Sequence, residues 1–321
     1  MLKKAVKKFL SVVLATAMVV SSITVYGASV KVPEDRVLTS VKEYSIAPGI
    51  KEKHITTVDK DGNNQVQAYM AEIDLKTSSV GMMAGYKNYD KTGKWGMQTV
   101  RDQAKAAEKA TGKTIVAAIN GDYFDMGTGQ PWGSLVMGGD IVQTQNDHPY
   151  FAIMKDGTAD CREAYEPLDD VVEAIGSPFF LVKDGKALEE LAADPYAMPR
   201  CAVGIKADGS VIIYEADGRQ APKSCGQSLY ETAKQMEAMG CVEALYLDGG
   251  GSATFATKTE GTDSLEVKNS PSDGTERKVS SSLFIYSDAK ADGEFDHATI
   301  SPLEEVYTPG STVQLEATGV D

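Results

Sequence analysis

Residues 228–252 read SLYETAKQMEAMGCVEALYLDGGGS, so a helix pattern, a strand pattern and a glycine run follow one another directly. Ser228 and Glu231 have the spacing of a capping box, in which each side chain bonds the backbone N–H of the other, and Gly240 supplies a helix stop. The apolar run 244–247 then predicts a buried strand. A helix followed at once by a buried strand indicates a packed globular core.

A second helix and strand follow one another earlier in the chain. Val100, Ala104 and Ala107 recur with helical spacing inside the segment 97–110, and the apolar run 115–119 begins soon after it. Asp-Gly pairs beside β-rich runs predict several tight hairpins; these pairs stand at 61–62, 156–157, 184–185 and 208–209. Together these patterns predict an α+β fold, with a mixed β-sheet domain and a few helices.

The composition is that of a folded protein with an acidic surface. Of the 321 residues, 42% are hydrophobic and 24% are charged, so a sizeable core can form in one large domain or two smaller ones. The formal net charge of −14 repels polyanions, and we therefore expect no nucleic-acid partner. Three histidines in the whole chain argue against a multi-histidine metal site.

The N-terminus has the three parts of a secretory signal peptide. Four lysines precede an apolar run at 9–20, and small residues follow up to Ala28. We predict a signal peptide over 1–28 and hence a secreted or cell-surface protein, with no transmembrane span in the mature chain. An uncleaved membrane anchor is the alternative, although the apolar run is shorter than the ~20 residues that cross a bilayer.

Export would permit disulfides among the four cysteines. Cys161, Cys201, Cys225 and Cys241 allow three pairings, and none of them has the CxxC spacing of a metal site. Four cysteines are too few for a disulfide framework in a chain of this length. One or two local disulfides, or simply buried thiols, both fit the sequence.

The chain divides further at its two ends. A polar, acidic segment follows Tyr286, and the runs 300–302 and 307–315 resemble the opening strands of a β sandwich. We therefore predict an N-terminal extension at 29–64, a main domain at 65–286, and a linker with the first strands of a C-terminal β module at 287–321. The alternative for the last segment is a C-terminal strand of the main domain.

Polar residues and glycines collect where the two buried strands end. Asn120-Gly121-Asp122 follows one strand, and the other is followed by Asp248 and a run of three glycines. Consecutive glycines expose backbone N–H groups and allow positive φ, which suits an anion or a closely held sugar. A tight turn with a bulge explains the run equally well. Neither a Walker loop nor a nucleophile elbow fits, because no Lys follows the glycines and Thr254 replaces the last Gly of the elbow.

Ordered sequence blocks over roughly 65–286 resemble the phosphodiester glycosidase family. The blocks are NGDYFD at 120–125, PRCAVGI at 199–205, DGR at 217–219, the helical segment 226–240, LDGGGS at 247–252, Asn269 with Pro271, and Glu276 with Arg277. Tyr123 and Cys225 depart from the family pattern, and both departures bear on substrate shape. The resemblance implies hydrolysis of a sugar-phosphate diester, such as a glycosyl-1-phosphodiester in a cell-surface glycan or exopolysaccharide.

The resemblance also implies a set of site residues. Asp122, Asp217 and Asp248 are the expected catalytic carboxylates. The expected substrate-binding residues are Asn120, Arg200, Arg219, Gly249, Gly250, Gly251, Ser252, Thr254, Asn269 and Arg277. We expect a sugar-phosphate or phosphoglycan substrate and no required cofactor, although a divalent cation among the carboxylates would fit.

These residue types suit the chemistry, but each also has an ordinary structural explanation. Three arginines can hold the non-bridging oxygens of a phosphodiester, and we expect them to converge on one pocket with the turn 248–251. A carboxylate can stabilise the oxocarbenium-like state formed when the C–O bond breaks. Surface ion pairs would equally account for arginines, and turn formation for Asp217 and Asp248.

Two other classes of protein remain open. A non-catalytic carbohydrate-binding module would need an aromatic platform, for which the sequence offers Trp95 and Trp132 as its two tryptophans. A metal-dependent phosphodiesterase would need paired ions and more ligands than the sequence offers. His148 is the one histidine inside the matched region, so a Ser-His-Asp hydrolase is disfavoured.

Overall fold

The computed structural model describes residues 30–145, 147–259, 262–290, 293–295, 297–301, 312 and 314–320, which form mainly β sheet with two α helices. The helices are α1 (Val100–Thr111) and α2 (Leu229–Ala238), and short 3₁₀ turns occur at Lys87–Tyr89, Glu189–Ala193 and Gly250–Ser252. The strands are β1 (Arg36–Ala47), β2 (Ile50–Asp59), β3 (Val66–Ile73), β4 (Val80–Tyr86), β5 (Ile115–Asn120), β6 (Leu135–Met137), β7 (Asp140–Gln143), β8 (Tyr150–Met154), β9 (Ala159–Arg162), β10 (Val171–Gly176), β11 (Phe180–Lys183), β12 (Lys186–Ala187), β13 (Arg200–Lys206), β14 (Val211–Ala216), β15 (Cys241–Leu247), β16 (Phe255–Lys258), β17 (Leu265–Val267), β18 (Ser281–Ser287), β19 (His297–Ser301) and β20 (Glu316–Val320).

Three larger sheets and one hairpin account for these strands. The large sheet has the order β1-β2-β3-β14-β13-β15-β11-β12, and the second sheet has the order β17-β16-β5-β18-β4. A third sheet has the order β7-β6-β10-β8-β9, and β19 pairs with β20. The β1–β2 hairpin pairs along β3, so much of the segment expected to be an N-terminal extension is continuous with the large sheet. The domain boundaries themselves stay predictions.

One buried apolar cluster joins the three larger sheets. Val203 and Leu245 of the large sheet lie in it with Ile119 and Leu283 of the second sheet and Phe151 of the third. Each of these side chains is at most 1% exposed, so they form the centre of the core. Removing such apolar surface from water is the main stabilising contribution to the fold.

The strand pairing differs from the mixed sheet that the sequence predicted. Each ladder between the described strands is antiparallel, including those that β15 forms with β13 and β11. The expectation of a mixed sheet is wrong because a helix followed by a strand does not by itself produce a parallel pair. Here β15, the strand after α2, lies between β13 and β11, and both of these run antiparallel to it. The periodicity of a sequence carries no information on the order of strands in a sheet.

Both helices form where the sequence predicted them. α2 begins after Ser228, and the Ser228–Glu231 capping box is present in both directions. α1 begins after Thr99, whose side chain accepts the Asp102 N–H, and ends at Gly112 in the left-handed conformation. The small buried face of α1 packs against Phe284 of the second sheet. The helices therefore lie against the strands that lead to the glycine run and to Asn120.

Several expectations lie partly or wholly outside the described residues. The signal peptide over 1–28 is one of them, and so is most of the strand expected at 307–315. No helix long and apolar enough to cross a membrane occurs in the described part of the chain. All four cysteines are free thiols, of which Cys225 is partly exposed and the other three are buried, so the buried-thiol alternative is the one observed.

Candidate active site

The two buried strands that the sequence singled out end side by side. The Asn120 side chain donates to the Asp248 carbonyl over 2.6 Å, and the Asp248 N–H donates to the Gly121 carbonyl over 2.8 Å. The Asn120 side-chain oxygen also accepts the Thr254 N–H. Asn120 is fully buried, so its amide joins the two strand ends. A direct contact of Asn120 with substrate remains a prediction.

Two arginines lie against consecutive glycines of the turn after β15. The Arg219 guanidinium lies about 3.3 Å from where a Cβ would stand on Gly250, which has a φ of +60°. Arg277 packs so closely on Gly251 that any side chain there would collide with it. Glycine is therefore required at both positions, once by backbone conformation and once by space. Two cationic side chains therefore lie directly against the turn.

These two arginines differ in how they are held. Arg277 is paired with Asp273, at 2.7 Å from Nη2 to the carboxylate, and lies 3.5 Å from the Ser252 hydroxyl. Arg219 is exposed and has a positive φ of 61°. Its one side-chain hydrogen bond among the described residues is from Nη2 to the Met198 sulfur at 3.8 Å. Its charge is thus available to an incoming anion.

The Arg200 side chain is buried in the protein, unlike those of Arg219 and Arg277. Its guanidinium donates to the carbonyls of Gln227 and Tyr196 and to the Tyr246 hydroxyl at 3.1 Å. The side chain is 3% exposed and also faces Asp194 at 3.5 Å. The Tyr246 hydroxyl in turn lies against Gly249. Arg200 therefore supports the turn from behind, and the predicted contact with substrate would require it to move.

Asp248 is the half-buried carboxylate at the start of the turn. The Ser252 hydroxyl and the Gly249 N–H bond to it, and Arg277 lies near enough to attract it. Burial outweighs these stabilising contacts and raises the pKa of Asp248 from 3.8 to about 6. At neutral pH the group is a carboxylate in a partly desolvated setting. Such a group stabilises positive charge more strongly than one in water.

Asp122 holds a loop in place. Its two oxygens accept the N–H groups of Tyr123 at 2.7 Å and Gly133 at 2.6 Å. Burial raises the pKa of Asp122 to about 7, against those two hydrogen bonds, and the nearby Asp248 charge raises it further. The side chain is 2% exposed. The structure gives Asp122 a positioning role, and its participation in chemistry remains a prediction.

Asp217 lies under the chain that follows the glycine turn. One of its oxygens accepts the Ser270 N–H at 2.8 Å and faces the Asn269 amide at 3.4 Å. Asn269 also donates to the Ala253 carbonyl and accepts the Phe255 N–H. Burial raises the pKa of Asp217 to about 6. Asp217 and Asn269 thus brace residues 253–255.

Sequence reasoning missed Glu215 and Tyr246. Glu215 is fully buried two residues before Asp217, and burial raises its pKa well above the ordinary value. It occupies an apolar strand, so only the rarity of a buried glutamate could have drawn attention to it. Tyr246 lies inside the apolar run 244–247, where the pattern indicates a core residue. Its hydroxyl, which reaches Arg200 and the turn, is not visible in the pattern.

The remaining predicted residues also lie around the turn. Ser252 and Thr254 are fully buried, and the Thr254 hydroxyl donates to the Ser252 carbonyl. Among the described residues, no group of three or more His, Cys, Asp or Glu side chains is arranged to hold a metal ion. His54 pairs with Glu52 in the large sheet. His148 lies over Trp132 near the loop that Asp122 holds.

Comparisons with known proteins identify the family of this chain. The pattern of a family described as phosphodiester glycosidase matches residues 113–286. A mouse N-acetylglucosamine-1-phosphodiester alpha-N-acetylglucosaminidase is 29% identical over 161 residues, which cover 43% of this chain and 31% of the relative. The human protein of that name is 26% identical over 178 residues, covering 48% and 34%. The chain thus spans about a third of the length of these curated relatives.

Solved structures share the fold at low sequence identity. The catalytic domain of zebrafish N-acetylglucosamine-1-phosphodiester alpha-N-acetylglucosaminidase, auto-inhibited by its pro-peptide, superposes with a TM-score of 0.58 at 23% identity. That match covers 78% of this chain and 88% of the zebrafish chain. A putative exported protein of Burkholderia pseudomallei gives a TM-score of 0.56 at 14% identity, covering 81% and 98%. Since the family pattern covers more than half of its residues, the chain belongs to the phosphodiester glycosidase family.

Proposed function

We propose that this protein is a hydrolase that removes a sugar from a sugar-phosphate diester, acting after export on a glycosyl-1-phosphodiester in a cell-surface or extracellular glycan. Family membership supports the reaction class. The observation that carries the proposal is the placement of Asp248 beside the glycine turn on which Arg219 and Arg277 lie. Cleavage of a sugar-phosphate bond needs cations at the phosphate and a carboxylate at the adjacent sugar carbon, and the turn places these two kinds of group side by side.

The arginines would bind the phosphate. Arg219 is exposed and can turn its planar guanidinium towards the non-bridging oxygens. Arg277 is already aligned on Gly251 by Asp273. The Gly250 N–H donates to the Pro199 carbonyl, so the backbone of the turn offers fewer free donors than the sequence suggested. Side chains therefore carry most of the anion binding.

Asp248 would act at the sugar carbon. As the C–O bond to phosphate breaks, positive charge builds on the sugar, and a nearby carboxylate stabilises it or attacks it. The leaving group is a phosphate monoester with a second pKa near ~6, so it departs without a strong acid. One essential carboxylate is then enough, with Asp122 and Asp217 positioning the surrounding loops.

Isotopic labelling tests which bond is cut. The methyl diester of N-acetylglucosamine 1-phosphate, which carries the sugar in the name of the mammalian relatives, is incubated in ¹⁸O-labelled water and the products are analysed by mass spectrometry. Label in the sugar and none in the phosphate is expected. Label in the phosphate would mean cleavage of the P–O bond by a phosphodiesterase reaction, and absence of turnover on a panel of sugar-phosphate diesters would favour a binding module.

Export has a separate test. If the N-terminal segment is a signal peptide, the protein secreted by its natural host begins near Ala28 or Ser29. Mass spectrometry of the secreted protein gives this mass directly. An intact Met1 in secreted material would contradict the assignment.

A further inference from the structure

A continuous series of aromatic rings begins at one end of the glycine turn. Tyr246, whose hydroxyl lies against Gly249, stacks on Phe179 with ring centres 5.0 Å apart. The Tyr123 ring is perpendicular to the Tyr246 ring, with ring centres 6.0 Å apart. The Trp132 ring follows, with its centre 5.3 Å from that of Tyr123. Arg219 and Arg277 lie further along the turn, against Gly250 and Gly251. The turn thus has an aromatic end and a cationic end.

The last rings of the series are open to solvent. Trp132 is 47% exposed, although a tryptophan side chain normally gains by burial. His148 stacks on it with ring centres 6.2 Å apart and planes inclined by 23°. Tyr123 is half-buried between Trp132 and the site. The Trp132 ring, with His148 stacked on it, is therefore open to solvent, and Tyr123 connects it to the neighbourhood of Asp248.

The loop that carries Trp132 is held by backbone contacts. The Trp132 N–H donates to the Tyr123 carbonyl at 2.9 Å, and the next residue, Gly133, donates to Asp122. Within the loop, the Asp125 N–H donates to the Gln130 carbonyl. The backbone that carries the exposed ring is thus held by Asp122, a carboxylate close enough to Asp248 to feel its charge. A binding group held in advance loses little entropy when a ligand arrives.

We propose that Trp132, Tyr123 and His148 form a subsite that binds one pyranose ring, on the sugar side of the bond that the enzyme cuts. Aromatic faces bind the apolar C–H face of a sugar, and the histidine and tyrosine edges can bond its hydroxyls. Because the arginines hold phosphate at Gly250 and Gly251, the sugar extends past Asp248 towards Gly249 and the aromatic end. Placing this pyranose ring on the sugar side of the cleaved bond rests on the proposed function.

Binding of free sugars tests the subsite without requiring turnover. The wild-type protein and three variants are titrated with glucose, galactose, mannose and N-acetylglucosamine, and binding is followed by ligand-observed NMR. We expect at least one sugar to bind, Trp132→Ala to weaken it about tenfold, and Trp132→Phe to weaken it less. Tyr165→Ala removes an even more exposed ring elsewhere, 73% exposed, and should change nothing.

The outcomes separate this inference from the proposed function. If no sugar binds, or Trp132→Ala binds sugar like the wild type, the subsite is refuted even if the diester is hydrolysed. If the diester is not hydrolysed but Trp132→Ala loses sugar binding, the proposed reaction fails and the subsite stands. For an active enzyme, Trp132→Ala should raise KM equally for a methyl diester and for a diester with a sugar leaving group. A rise in KM confined to the diester with the sugar leaving group would mean that Trp132 contacts the leaving group, and this would overturn the assignment.

Discussion

Replacing Asp248 with asparagine should make the protein less active and more stable. Burial raises the pKa of Asp248 from 3.8 to about 6, so the folded protein holds the charged form at neutral pH at a cost. At 1.36 kcal/mol per pH unit, that shift corresponds to about 3 kcal/mol. Because the side chain is only half-buried, water screens part of the cost, and about half of this value is expected. Asparagine keeps an oxygen for the Gly249 N–H and carries no charge. In a protein of this size, each kcal/mol of stability raises Tm by about 2–4 °C, so recovering half of the cost should raise Tm by about 3–6 °C.

The same substitution removes the charge that the proposed reaction needs. Loss of one electrostatic contact to a transition state costs roughly a hundredfold or more in kcat. In the wild type the carboxylate is the active form, so kcat should rise with pH through about 6 and then level off. Asp248→Asn should lose that dependence along with most of its rate. Steady-state kinetics and thermal melts of the same protein sample measure both effects.

Asp59→Asn is the matched control for this variant. Asp59 is the last residue of β2, and its carboxylate accepts the N–H groups of Asp61 and Asn63. These hydrogen bonds, that of Asn63 above all, lower the pKa of Asp59, so the charged form is favoured in the folded protein. This variant should keep its kcat and melt at a lower temperature. Near-normal turnover by Asp248→Asn, or a fall in its Tm like that of the control, would refute the reasoning and leave Asp248 as a turn residue.

Three further results are expected. Because burial raises the pKa values of Asp122 and Asp217 from 3.8 to about 7 and about 6, the folded state binds protons more tightly, and the free energy of unfolding should fall as the pH rises from about 4 to about 7; denaturant titrations showing the reverse would contradict this. Arg219→Ala should lower kcat/KM by about 10–150-fold, the scale of a hydrogen bond to a charged group, while Lys155→Ala in the β8–β9 turn should not. Asn120→Ala leaves two buried backbone groups unpaired and should cost about 2–5 kcal/mol in unfolding measurements, and a melt like the wild type would deny its bracing role.

Local signals in the sequence predicted local structure well. Ser228 and Glu231 form the predicted capping box because that motif depends only on residues three positions apart. The two apolar runs form buried strands, and the polar residues after them meet at one place. Pairing directions were not predictable, since antiparallel and parallel neighbours bury the same apolar residues. The sequence offers Trp132 as a candidate aromatic platform, but its position beside the site comes from a loop closed by Asp122.

The three aspartates show why residue type alone could not assign the roles. Asp122 and Asp217 lie in the same kind of position as Asp248, after a strand and beside a glycine or a turn. In the folded protein, both Asp122 oxygens accept backbone N–H groups, and Asp217 is 1% exposed. Asp122 is committed to those bonds and Asp217 is closed off from solvent, so neither has much freedom to approach a sugar carbon. Asp248 is the least buried of the three and lies beside the turn on which the arginines pack, and this difference arises from long-range packing that no short motif encodes.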